Sequence, residues 1–145
     1  MALTFISVSG LLCERVLQEG DAVFSAIRII DIFNLAHDAL PNAVVEFTGL
    51  VLLRAMPSEE QFRVGVAIVG SSGERNELPE PPGNPFKLPV YDEDPSVPVG
   101  FGLVLQFQIG ASKMGTNYID ITVNGLSVVR KPFTLRRLPA PHAEE

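Results

Sequence analysis

The chain has no tryptophan, one cysteine, two histidines and two tyrosines among its 145 residues. Each shortage closes off some chemistry. A single cysteine, Cys13, excludes an intrachain disulfide and suits a reducing compartment. Its neighbours are Leu12 and Glu14, whereas a reactive thiol needs cationic surroundings that stabilise the thiolate; Cys13 is expected to be a buried small hydrophobe. Of the histidines, His142 falls in a frayed tail with no fixed geometry. His37 is then the one candidate imidazole base. A triad would need it beside a serine or Cys13 and an orienting acid, whereas it sits in a loop, where an exposed histidine is the ordinary reading. Sugar-binding sandwiches lean on exposed aromatics, and only Tyr91 and Tyr118 are phenolic here, which counts against a carbohydrate site.

Positive charge is also scarce. There are 11 Lys plus Arg against 17 Asp plus Glu, a net charge of −6, and no basic run exceeds two residues. A duplex-binding surface must neutralise several phosphates, so nucleic acid is not an expected partner. No apolar run approaches the roughly 20 residues that span a bilayer. The opening "MALTFISVSGLLCERV" lacks a basic n-region and a small-residue cleavage site, and Leu12 spoils "GLLC" as a lipoprotein box. A cytoplasmic protein without a membrane span is expected. "GSSGER", residues 70 to 75, has no Lys-Ser/Thr after it and no helix following, so it is not a phosphate loop.

What is present is strand-like alternation. A hydrophobic fraction of 46% with 19% charge describes a globular chain, and 12 Gly with 12 Pro suit many short strands joined by turns. "VGFGLVLQFQIG", residues 99 to 110, places Phe101, Leu103, Leu105, Phe107 and Ile109 on one face. Residues 61 to 69 do the same with Phe62, Val64, Val66 and Ile68, and residues 42 to 55 with Val45, Phe47, Val51 and Leu53. Residues 3 to 10, continued by 12 to 21 into a turn at Glu19-Gly20-Asp21, make a first strand. Residues 22 to 33 are mixed on both faces. Residues 34 to 42 predict one short helical turn before Pro41. "YIDITVNGLSVVRKPFTLRR", residues 118 to 137, reads as a hairpin with a type I′ turn at Asn124-Gly125. Val123 then faces Leu126, Ile121 faces Val128 and Asp120 faces Val129. The inward parity changes before Phe133 and Leu135, which predicts a bulge near Arg130-Lys131-Pro132, with Pro132 on an edge or at a strand switch.

Residues 70 to 98 stand apart. They hold seven of the 12 prolines and six acids against two bases, so −4 of the net −6 lies there. Their prolines favour extended segments across a surface. Within them Asp92, Glu93 and Asp94 cluster, and Asp92 and Asp94 are the candidate calcium ligands. The spaced D-x-D-x-D-G pattern is missing, and clustered acids ordinarily just face water; no metal or cofactor is expected. Elsewhere Ile30, Ile32, Leu50 and Leu52 fall on the supposedly outer faces of strands. Either residues 70 to 98 cover them or another chain does, since large exposed apolar patches mark association. Arg130 and Lys131 on the last strands could meet an acidic partner. These six residues are the candidate interaction surface.

The two ends of the chain resemble an uncharacterised family of small bacterial β-sandwich proteins. "LLCERVLQEGDAVFSAIRIIDIF" is similar to that family's opening: a strand ending in Cys and polar residues, a Gly-Asp turn, then a strand. "YIDITVNGLSVVRKPFTL" is similar to its closing hairpin, with an Asn/Asp-Gly turn and a proline before the last strand. The resemblance covers about a third of the chain and omits the Pro-rich middle. It implies a fold and a bacterial origin, and it transfers no catalytic or binding residue.

The expectation is an all-β, single-domain antiparallel β-sandwich of about seven or eight strands spanning residues 1–138. The excursion at 70–98 lies within it as a long Pro-rich acidic loop, and residues 139–145 form a flexible tail. Parallel pairing would need crossover helices that the sequence lacks. The expected function is non-enzymatic binding or assembly through protein–protein contacts, with another protein or a second copy as partner. A carbohydrate- or calcium-binding sandwich is the alternative, and an enzyme of unknown class the next.

Overall fold

The computed structural model describes residues 4–20, 23–89, 94, 96–110 and 113–141. Among them are eleven strands and no α-helix: β1 (Phe5–Gly20), β2 (Val23–Ile29), β3 (Ile32–Leu35), β4 (Val44–Ala55), β5 (Gln61–Phe62), β6 (Val64–Val69), β7 (Arg75–Glu77), β8 (Phe86–Lys87), β9 (Val99–Gly110), β10 (Gly115–Val123) and β11 (Leu126–Arg137). The chain is all-β. One sheet has the order β2-β1-β4-β9, a second β3-β11-β10-β6-β7, and β5 pairs with β8 in a small third.

Period-two alternation places the core. Phe47, Val51 and Leu53 of β4 and Leu103, Leu105, Phe107 and Ile109 of β9 are buried on one side of the first sheet. Val64, Val66 and Ile68 of β6, Ile119, Ile121 and Val123 of β10, and Phe133 and Leu135 of β11 are buried on the facing side of the second. All belong to one apolar cluster. Rings bridge the two sheets: Phe47 stacks on Phe33 at 4.5 Å and packs on Phe133 at 5.5 Å between centroids.

The segment read as one strand over 22 to 33 is two strands in different sheets. The Ile30 N–H still donates to the Leu12 carbonyl at 3.0 Å, and the next residue, Asp31, accepts from the Thr134 N–H at 2.8 Å. The crossing falls between them. A segment that serves two sheets has no single inward face, which is why it reads as mixed. β3 then runs parallel to β11, against the all-antiparallel expectation. No crossover helix is required, because the chain reaches β3 from the other sheet rather than by a return within its own. The short helix expected over 34 to 42 is replaced by two tight turns, closed by Ala39 N–H to Ala36 and Ala43 N–H to Leu40. Arg137 donates from one guanidinium nitrogen to the carbonyls of Ala36, His37 and Ala39 at 2.9 to 3.2 Å, which fixes that loop without helical bonds.

The closing hairpin turns at Asn124 (φ 50°) and Gly125 (φ 82°), as a type I′ loop requires. Val123 pairs with Leu126 and Thr122 with Ser127. The register then slips: Ile121 pairs with Val129, Asp120 with Arg130 and Ile119 with Lys131. The extra residue is therefore Val128, two to four positions before the expected site. Its place has an electrostatic reason. A bulge at 130 to 132 would set Asp120 against Val129, whereas the bulge at Val128 sets it against Arg130. Pro132 lies beyond the end of β3, whose pairing begins at Thr134. Thr134 turns its N–H toward β3, so Pro132 turns its donorless nitrogen the same way, where no strand needs it.

β1 pairs with β4 through Phe5–Cys13 and with β2 through Cys13–Gly20. The hairpin bends where the two ladders meet. Opposite Glu14, Arg28 has φ 53°, a left-handed conformation that costs a non-glycine residue of order 1 kcal/mol. The bent half lies back over the outer side of its own sheet. The Thr48 hydroxyl donates to the Glu14 carbonyl at 3.3 Å, and a Cβ on Gly102 would collide with the Phe24 ring.

Within residues 70 to 98, β7 pairs with β6 and β8 with β5, so the described part of that stretch is broken by strand pairing rather than one continuous loop. Asn84 contributes a further pairing through its side chain. Its Nδ2 donates to the Val64 carbonyl at 2.7 Å and its Oδ1 accepts the Val64 N–H at 2.9 Å.

Gly102→Ala should displace Phe24 and loosen the hairpin while the core persists, at a cost of about 1–3 kcal/mol for overpacking. Hydrogen exchange should quicken in residues 14–18 and 24–29 and stay slow in β6 and β10. Equal protection in both regions would show that Gly102 is not what seats the hairpin. Arg28→Gly should raise stability by up to about 1 kcal/mol through relief of the left-handed strain, read from the denaturant midpoint.

Candidate interaction surface

The outer side of the second sheet carries its main concentration of polar chemistry. Asp120 of β10 is only 1% exposed, yet it points away from the apolar cluster. It is buried by its own partners. Arg75 of β7 bonds one carboxylate oxygen through Nη1, and Ser127 donates to the other. Arg130 of β11 stands 3.7 Å from the oxygen that Arg75 holds. Arg75 also holds Glu77 through Nε at 2.5 Å. Three strands of the second sheet supply this cluster, with Arg75 reaching across β6 from β7, and the Val128 bulge supplies Arg130.

Burial pushes the Asp120 carboxyl up, but the hydrogen bonds from Arg75 and Ser127 and the positive charges of Arg75 and Arg130 outweigh it, and its pKa lies below the usual aspartate value. The bonds to Asp120 and Glu77 hold the Arg75 guanidinium above its ordinary value. With one carboxylate against each arginine, the cluster is internally neutral. It ties β7, β10 and β11 together rather than presenting an unbalanced charge.

The six candidate surface residues do not share one face. Leu50 is 3% exposed and drops out as a contact residue as the fold stands. It lies on the side of β4 that carries Thr48, whose hydroxyl meets the Glu14 carbonyl of the bent hairpin. Ile30 packs against the common core where the chain crosses between sheets. Leu52 is 38% exposed and lines a shallow hollow with Phe24 and Gly102. Ile32 is 44% exposed on β3. Arg130 is exposed on the outer side of the second sheet but committed to Asp120. Lys131, the next residue, turns to the opposite side, toward Gly10 of β1 and a small inter-sheet cavity.

His37 is exposed, and its carbonyl is a partner of Arg137. Cys13 is fully buried, with its thiol directed at the carbonyls of Arg15 and Thr48. Burial pushes its pKa up against a lesser, lowering hydrogen bond from the Ile27 backbone. A raised pKa keeps the thiol protonated. Asp94 accepts from the Ser96 N–H at 2.9 Å and the Ser96 hydroxyl at 2.7 Å, bonds that lower its pKa. Asp92, Glu93, Tyr91 and His142 lie outside the described residues. No group of three or more metal-ligating side chains occurs among the described residues, and none of their helices is long and apolar enough to cross a membrane.

Sequence reasoning missed an open groove of about 690 Å³. One wall is β9 over residues 104–108. The other is a strap, Leu78 to Pro82, that leaves β7 after Leu78 donates to the Val66 carbonyl at 2.9 Å. Both parts were legible separately, one as an uncharged alternating strand and the other as a proline run. What brings them together is the pairing of β7 on β6, which no local pattern announces.

No family model matches the chain, and no curated protein does. Among solved structures it is similar to the Pseudomonas fluorescens alkylpurine DNA glycosylase AlkC bound to DNA containing an abasic site analog, at 14% identity and a TM-score of 0.45. That match covers 88% of this chain and 30% of the glycosylase.

Asp120→Asn removes the charge that both arginines face and should destabilise the fold by about 1–2 kcal/mol, the loss of charge-assisted hydrogen bonds discounted because both arginines remain solvated. The native carboxyl titrates below its unfolded value, so its stabilisation is complete at neutral pH and is lost as pH falls through the lowered value. Urea unfolding should show stability declining below about pH 4 in the wild type, with a flatter dependence in Asp120→Asn. Parallel curves for the two proteins would remove Asp120 from that account.

Proposed function

We propose that this chain is a non-enzymatic β-sandwich module, of the bacterial kind its two ends resemble, that works through protein–protein contact. The sandwich is the reading of two sheets whose buried sides share one apolar cluster. The observation that carries the function is the groove beside β9. A main-chain edge along one wall and a strap along the other, apolar except for Glu80, suit a polypeptide, which supplies backbone hydrogen bonds and side chains together. The balanced Asp120 cluster gives the second sheet a rigid back, and Leu50 is buried on the first.

Sedimentation velocity of the purified chain, with affinity capture from its native host, should reveal a defined oligomer or a stoichiometric complex. A monomer at the highest soluble concentration that captures no protein would overturn the reading. A panel of sugars and calcium should leave the melting temperature unchanged; a saturable rise would replace protein contact with small-ligand binding.

A further inference from the structure

We propose that β9 is the edge on which a second copy of this chain pairs, antiparallel and about a two-fold axis, so that the four-stranded sheets of two molecules become one. The inference rests on the protein-contact reading and names its partner and its seam.

The two main sheets end in four edge strands: β2, β9, β3 and β7. Proteins protect such edges by keeping them short, bending them or placing charge on them. β3 has four residues. β7 has three, including Arg75 and Glu77. β2 is bent by left-handed Arg28, itself charged. β9 has none of these defences. It is twelve residues long, without proline or charge, and its register with β4 runs unbroken from Val99–Ala55 to Gly110–Val44. Among the described residues no other main chain bonds to it. The strap beside it cannot zip onto it, because Pro79, Pro81 and Pro82 have no N–H to donate. The groove between strap and strand is left open.

Charge selects the occupant. Two chains that each carry −6 repel one another, and approach costs least along an uncharged seam. A charged partner strand would find no counter-charge anywhere on β9. A second β9, centred on Val104, would set Leu103 against Leu105 and Phe101 against Phe107 of the other copy, with no like charges opposed. The pairing is self-complementary, so it closes at two molecules. Every edge left on the dimer is short, bent or charged, which stops further growth.

Sedimentation equilibrium over a concentration series should give a monomer–dimer equilibrium. Val104→Lys opposes two ammonium groups near the axis and should weaken the dimer at least roughly 100-fold. Gln106→Lys, at an exposed position, should weaken it in the same direction, and Leu126→Lys at the distant hairpin turn should leave it unchanged. Mixing Val104→Lys with Val104→Glu should restore a mixed dimer that neither forms alone. Circular dichroism confirms that each variant is folded. A wild-type chain that stays monomeric while capturing another protein overturns this inference and leaves the protein-contact reading standing. A dimer indifferent to both lysines places the seam elsewhere and overturns it equally.

Discussion

One extra residue, Val128, decides how the last strand sits on its sheet. Without it β11 would keep the parity set at the Asn124-Gly125 turn, and Phe133 and Leu135 would face water. With it, both enter the core, where Phe133 meets Phe33 and Phe47. The same slip moves Arg130 to the outer side opposite Asp120. Burial of two large apolar side chains and neutralisation of a buried carboxylate thus depend on one backbone irregularity. Each outcome favours the other, since moving the bulge along the strand would satisfy the aromatics and abandon the aspartate.

That coupling explains what was legible in the sequence. Residues 99 to 110 were read in full because one strand has one inward face, and period two states it without ambiguity. The turn at Asn124-Gly125 was equally plain, since its left-handed backbone restricts residue choice. The bulge was legible as a parity conflict between Leu126 and Phe133, but its position was not. Local alternation cannot weigh Val129 against Arg130 as the partner of Asp120, because Arg75 arrives from another strand. The same limit hid the division of residues 22 to 33 and the parallel seat of β3. The apolar outer residues were a true signal with an unforeseen cause. Leu50 is buried on the side of β4 where the Thr48 hydroxyl meets the first hairpin, and that hairpin carries a left-handed arginine at 28, a residue with no turn signature.

The two sheets manage their surroundings differently. The first buries part of its outer side by folding its own hairpin across it, with Phe24 set over Gly102. The second covers Asp120 with the side chains of Arg75, Ser127 and Arg130. Both devices occupy part of a broad face with the molecule's own side chains, and a further groove lies open at the flank, where β9 and the proline strap part.

Two asparagines give the molecule a sense of direction. Asn124 occupies the backbone of Arg63, accepting its N–H and donating to its carbonyl, and Asn84 occupies the backbone of Val64 in the same manner through its carboxamide. At these neighbouring residues the sheet meets something that imitates a strand for a single step and cannot continue as one. Such a stop is a terminator in the literal sense: it satisfies the valence of the last rung and offers no next one. The start of β6 is thus closed on both of its sides, by the side-chain oxygen and backbone N–H of Asn124 at Arg63 and by the whole carboxamide of Asn84 at Val64.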